Sequence, residues 1–166
     1  IDNFISSLQT HNINCILDVR ALPLSRKPGF SKTKLAGRLN QIKIQYIHLP
    51  ELGTPKDIRD ELKSTRDYAA FFKKMENYLA DKKDAIRQAY NQVINTRCCL
   101  MCFERLADQC HRKLVAEKIK STNGDDLQIM HQFYIYYSCL RGHMSNLICS
   151  GKINKQEFIR ELEKTL

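Results

Sequence analysis

Between Arg97 and Arg112 the chain reads R-C-C-L-M-C-F-E-R-L-A-D-Q-C-H-R, and these residues hold four of its seven cysteines, one of its five histidines, a glutamate and three arginines. Their chemistry is complementary. Arginines fix an anionic ligand, Glu104 or His111 serves as general acid or base, and Cys102 becomes a nucleophile where His111 or a helix dipole lowers its pKa. We therefore take Cys102, Glu104 and His111 as candidate catalytic groups, with Cys110 and Arg112 as candidate substrate-binding groups.

A second group of polar residues follows a strand. Ile13 to Val19 reads I-N-C-I-L-D-V, a buried strand whose end carries Asp18 and Arg20. Charges there need a reason, and in open α/β sheets the carboxyl ends of strands form the ligand crevice. Asp18 joins the catalytic candidates and Arg20 the binding ones. The competing reading is a mutual or helix-capping salt bridge. Ser25 would be held over the same strand end by the Pro- and Gly-stiffened loop from Ala21 to Phe30. Tyr46 and His48, on one face of an alternating strand from Lys43 to Leu49, could line the pocket or simply pack.

The elements that must position these groups follow from periodicity. Cys98 to Phe103 is too short for a helix and suits a buried strand. Leu114, Val115 and Ile119 then recur at helical spacing, with Asp108 placed as N-cap and Cys110, His111 and Arg112 in the first turn. His111 would then stand above Val115 and Ile119 and point toward Cys102 and Glu104. Free N–H groups at the helix start favour an anion or a thiolate. Helices are predicted over Ile1 to Thr10, from Ser31 through Leu39, and across the charged stretch Asp57 to Asn95. The apolar stripes of that stretch (Tyr68, Phe71, Phe72, Met75, Leu79; Ala85, Ile86, Ala89, Tyr90, Val93) face a core, and we assign it no chemistry. A turn over Ser121 to Asp126 leads to a last strand from Leu127 to His131. Beyond it, Phe133, Tyr134, Tyr136 and Tyr137 offer stacking faces or core, and Asn154 to Leu166 reads as an amphipathic helix. Alternating strands and helices imply a three-layer α/β fold, a mainly parallel sheet with helices on both faces. Residues 1–166 suit a single domain, with 132–166 a poorly assigned C-terminal extension, and the lack of an initiating Met suggests a piece of a longer protein.

Composition narrows the function classes. Hydrophobic content of 43% and charged content of 27% are ordinary for a globular domain. No apolar run reaches the ~18 residues of a membrane span and no signal peptide is visible, so a cytoplasmic setting without membrane is expected. The odd cysteine count lacks a secreted spacing pattern and favours reduced thiols or a metal. A net charge of +9 points to a phosphorylated small molecule or nucleic acid as partner, or to a merely solvated basic surface.

Three patterns compete in the central stretch. Cys99 and Cys102 match C-x-x-C with Cys110 and His111 available to complete a zinc set. In a strand, however, Cys99 points away from Cys102, which leaves Cys102, Cys110 and His111. Cys99 and Arg105 fit the C-x5-R spacing of phosphatase and rhodanese loops, and I-L-D-V-R resembles a rhodanese start, but the apolar Leu100 to Phe103 is unlike a glycine-rich anion loop. The third is a composite pocket of Asp18, Arg20, Cys102, Glu104, Cys110, His111 and Arg112 without a preset metal. Against it stands a buried polar network among packed cysteines.

The ordered blocks D-V-R with Pro23 and Ser25, F-S-K with Leu35 (Phe30, Ser31, Lys32), Y-x-H-L-P-x-L-G (Tyr46 to Gly53) and C-x-E with C-H-R (Cys102, Glu104, Cys110, His111, Arg112) resemble the domain of unknown function 488 family over about residues 1–131. The resemblance implies one α/β domain containing all these blocks. It also implies a missing first strand, because the family usually opens on a segment similar to Y-T-I-G-H-S. No reaction or cofactor comes with it. The expectation is an enzyme or ligand-binding domain with an anion-accepting pocket for a nucleotide, nucleic acid or other phosphorylated compound. The alternatives are a non-catalytic nucleic-acid-binding module and a structural zinc domain.

Overall fold

The computed structural model describes residues 1–104, 109–123, 127–132 and 147–151. In chain order it contains helix α1 (Asp2–Thr10), strand β1 (Cys15–Asp18), helix α2 (Lys32–Gln41), strand β2 (Gln45–His48), a 3-10 turn over Pro50–Leu52, helices α3 (Lys56–Thr65), α4 (Tyr68–Ala80) and α5 (Lys83–Asn95), strand β3 (Cys98–Met101), helix α6 (Arg112–Asn123) and strands β4 (Gln128–Gln132) and β5 (Leu147–Gly151).

The sheet order is β2-β1-β3-β5-β4. Strand β1 pairs in parallel with both β2 and β3, whereas β5 runs antiparallel to β3 and to β4. The sheet is thus mainly parallel, with β5 the reversed strand. β1 and β3 are buried along their whole length, as expected for parallel strands covered on both faces.

Successive side chains of these strands alternate between two apolar layers. Cys15, Leu17, Val19, Cys98 and Leu100 enter the larger layer with Phe71, Met75 and Leu79 of α4, Ile86, Ala89 and Val93 of α5, and Val115 and Ile119 of α6. Ile16, Cys99 and Met101 enter the other with Leu8 of α1 and Leu35 and Leu39 of α2. This is the expected three-layer α/β arrangement, and of the two predicted stripes Phe71, Met75, Leu79, Ile86, Ala89 and Val93 are buried, while Tyr68, Phe72, Ala85 and Tyr90 are half-buried against the same layer.

Four expectations change. The charged stretch is three helices, broken at Arg66, whose φ is 59°, and restarted at Asp67, whose carboxylate accepts the Ala70 N–H at 3.0 Å. The first of them, α3, buries no residue and so is a rim helix rather than a core helix. Helix α6 begins at Arg112, so Cys110 and His111 precede it instead of forming its first turn. It also runs through Asn123, where a turn was expected. Finally, the chain beyond Gln132 contributes β5 to the sheet, between β3 and the edge strand β4. Arg105, Asp108, the aromatic cluster from Phe133 to Tyr137 and the helix expected over Asn154 to Leu166 lie outside the described residues.

Candidate functional site

The register brings the carboxyl ends of three strands level, with Asp18 opposite His48 on one side and Met101 on the other. The chain leaving β1 turns at Arg20 and Ala21 beneath Gly53. A Cβ on Gly53 would lie 2.2 Å from the Ala21 nitrogen, so only glycine lets these two backbones touch.

At this edge Asp18 and Arg20 form a buried bidentate pair, with Arg20 Nε donating to Asp18 Oδ1 at 2.8 Å and Nη2 to Oδ2 at 2.5 Å. Arg20 Nη1 donates to the Phe30 carbonyl at 2.9 Å. The Tyr46 hydroxyl donates to Asp18 Oδ2 at 2.5 Å, and the ring of His48 lies with Nε2 2.9 Å from the Arg20 carbonyl. Burial pulls the Arg20 pKa down, but the hydrogen bond and charge of Asp18 together with Tyr46 outweigh it and the net shift is upward. Burial, and then the bond to Asp18, push the Tyr46 phenol well up. Asp18, Tyr46 and His48 therefore hold Arg20 rigid, and Arg20 alone of the four lines the cavity above.

The second group meets the first through His111. Its Nε2 lies 3.1 Å from the Val19 carbonyl, which can only accept, so in the neutral ring the proton sits on Nε2 and Nδ1 presents the lone pair. That lone pair faces Cys102 Sγ at 3.7 Å and Cys110 Sγ at 3.9 Å. The fully buried Arg112 donates through Nε to Cys110 Sγ at 3.2 Å and through Nη2 to the Glu104 carbonyl at 2.6 Å. A thiol hydrogen bond from Cys110 holds Cys102 below its usual value against burial, helped by Arg112 and the backbone of Glu104 and Phe103. Burial pushes Cys110 up.

Cys102, His111, Arg20 and Glu104 open onto one cavity of about 190 Å³. Phe103 forms part of its wall, its ring 5.0 Å from the Arg20 guanidinium carbon. Helix α3 supplies Arg59 and Lys63 to the same cavity, and Arg66, just past its end, joins them. Lys63 pairs with Asp60 at 3.1 Å, while neither Arg59 nor Arg66 forms a salt bridge among the described residues. These three cations were missed because α3 was read as a packing helix. The i, i+4 spacing of Arg59 and Lys63, continued by a third cation at Arg66, was the signal that could have found them.

Of the ten expected site residues, the cavity gathers Arg20, Cys102, Glu104 and His111. Cys110 and Arg112 sit directly beneath it, each 0% exposed, and touch its floor rather than its contents. Asp18, Tyr46 and His48 support Arg20 from behind. Ser25 lies apart, in a neighbouring groove with Arg26, Lys27 and Ser31 beyond Phe103. There its backbone N–H donates to Ser31 Oγ at 3.2 Å, which uses Ser31 as a loop tie instead of a side-chain cap for α2.

The fold and the position of this cavity define an α/β domain that keeps its polar centre outside the carboxyl ends of parallel strands. The chain belongs to the family described as Domain of unknown function DUF488, whose family model matches residues 1–119. That span contains the whole cavity and stops before β4 and β5. Searches of curated proteins and of solved structures return no match.

Proposed function

We propose that this domain is an enzyme that draws the phosphate or a comparable anionic group of a small substrate, a nucleotide included, into the cavity and converts it at the Cys102–His111 cluster. The observation that carries the reading is the meeting, in one opening, of this cluster with Glu104 and with Arg59, Lys63 and Arg66. The cavity offers about 190 Å³. It takes a phosphate or one small functional group, and the rest of a larger substrate would lie along the α3 rim.

Each group has a role in this reading. Arg59 and Arg66 attract and hold the anion, and Arg20 gives a fixed positive wall whose charge is largely committed to Asp18. Cys102 presents its sulfur to the substrate, and Glu104, exposed on the cavity wall, moves a proton. All five cysteines among the described residues with resolved side chains are free thiols, which supports a reducing, cytoplasmic setting. Residues 1–166 are read as a single α/β unit around this site.

Calorimetric titration with inorganic phosphate and nucleoside monophosphates tests the reading. Binding should be saturable and should weaken at least tenfold in Arg59→Ala and Arg66→Ala, about the loss of one charged hydrogen bond. Cys102→Ser and Glu104→Gln should retain binding and lose turnover. A non-catalytic nucleic-acid module would instead bind polynucleotide with a steep salt dependence and be indifferent to both changes.

A further inference from the structure

We infer that Cys102, Cys110 and His111 form a binding site for a divalent transition metal, zinc by preference, with one coordination position open to the cavity. The inference rests on the reading of the cavity as the substrate site and specifies the chemistry at its floor. Among the described residues these three are the group of potential ligands whose donor atoms all lie within 4.8 Å of one another.

The separations match what a metal requires. Tetrahedral zinc with bonds of about 2.3 Å to sulfur and 2.0–2.1 Å to nitrogen places its sulfur and nitrogen ligands about 3.6 Å apart. Here the Nδ1 to Sγ distances are 3.7 Å for Cys102 and 3.9 Å for Cys110. With all three donor atoms within 4.8 Å of one another, the group is already close to the size of a shared metal site.

The surroundings are also those of a ligand set. His111 is fixed by the Val19 carbonyl on the nitrogen away from the sulfurs, which sets the tautomer that coordinates. Cys110 Sγ accepts two donors from Arg112, the side-chain Nε at 3.2 Å and the backbone N at 3.5 Å. N–H bonds of this kind stabilise a coordinated thiolate. Two thiolates and an imidazole favour zinc over magnesium or calcium, which demand oxygen ligands. Structural zinc sites close with four protein ligands, whereas three ligands and an opening are the pattern of catalytic ones. Cys102 and His111 line the cavity that holds Glu104 and the α3 cations, so the open position faces the anion site. A metal there would polarise a bound oxygen, with Cys102 and His111 acting as ligands.

The test uses the full chain, reduced and stripped by chelator, titrated with Co²⁺ and separately with Zn²⁺. One equivalent of Co²⁺ should give the near-ultraviolet thiolate-to-cobalt band and tetrahedral visible bands. Both should vanish in Cys102→Ser and Cys110→Ser and persist in Cys99→Ala, whose sulfur lies in the opposite apolar layer. Inorganic phosphate should perturb the visible bands. Because the serine variants could fail to fold, X-ray absorption of the zinc-loaded wild type counts the ligands independently. Two sulfurs with nitrogen or oxygen neighbours support the site. Failure to bind one equivalent, or any other sulfur count, overturns it. Calorimetry of phosphate on the metal-free protein is unaffected by that outcome, so loss of the metal site and loss of the anion site are separately visible.

Discussion

The pair of charges at the tip of β1 shows how much a single buried contact can decide. Asp18 and Arg20 have side chains 0% and 2% exposed, and each is tolerated there because the other is bonded to it. Asp18→Asn leaves the guanidinium uncompensated, and urea unfolding should record a loss of about 3–5 kcal/mol. Tyr46→Phe removes one hydrogen bond to that carboxylate and should cost about 1.5–3 kcal/mol at neutral pH. It should also change the alkaline limb. Folding raises the Tyr46 pKa above its ordinary 10.0, so the folded chain holds the phenolic proton more tightly than the unfolded one. That stabilisation is complete below pH 10 and is lost as the pH climbs past it. Stability of the wild type should therefore fall above pH 10, and the Phe variant should fall less when unfolding is followed across that range. The sequence made this pair visible, since two charges closing an apolar run need partners. It left open the division of labour, because spacing does not reveal that Asp18 faces Arg20 and Tyr46 and leaves the cavity to Arg20.

Elements with strong periodicity were legible and those without it were not. The stripes Phe71, Met75, Leu79 and Ile86, Ala89, Val93 repeat at helical spacing and are buried as expected. Helix α3 carries only Ile58 and Leu62 toward the core, so the uniform label given to residues 57–95 concealed a helix whose purpose is its charged face. Strand β5 has no periodic signature at all: Leu147–Gly151 is too short to alternate, and it is placed by partners distant in sequence. The start of α6 was misjudged because Asp108 is a good cap by type, whereas the helix begins only at Arg112. Two predictions belong to this scale. Arg59→Ala, on a helix without a fully buried residue, and Arg66→Ala, just past its end, should change stability by no more than about 0.5 kcal/mol while weakening phosphate binding. Gly53→Ala should force the Arg20–Ala21 backbone away. It should cost about 1–3 kcal/mol by thermal unfolding and displace Arg20 from the cavity.

For the whole molecule, a net charge of +9 and a cationic rim at the cavity describe the same preference at two distances. The general field draws anions toward the surface and weakens with ionic strength, while Arg59 and Arg66 decide where a phosphate stops. Three layers of secondary structure deliver the polar centre to a single edge, where β1 and β3 end, α6 begins and α3 closes the side. The most direct measurement is alkylation of Cys102 by a small neutral reagent, followed by mass spectrometry in reduced, metal-free protein with and without inorganic phosphate. Phosphate should slow the labelling of Cys102 several-fold in the wild type and leave it unchanged when Arg59 and Arg66 are both replaced by Ala. Labelling of the wild type that proceeds at the same rate at saturating phosphate would contradict the assignment of this cavity as an anion-accepting reactive site.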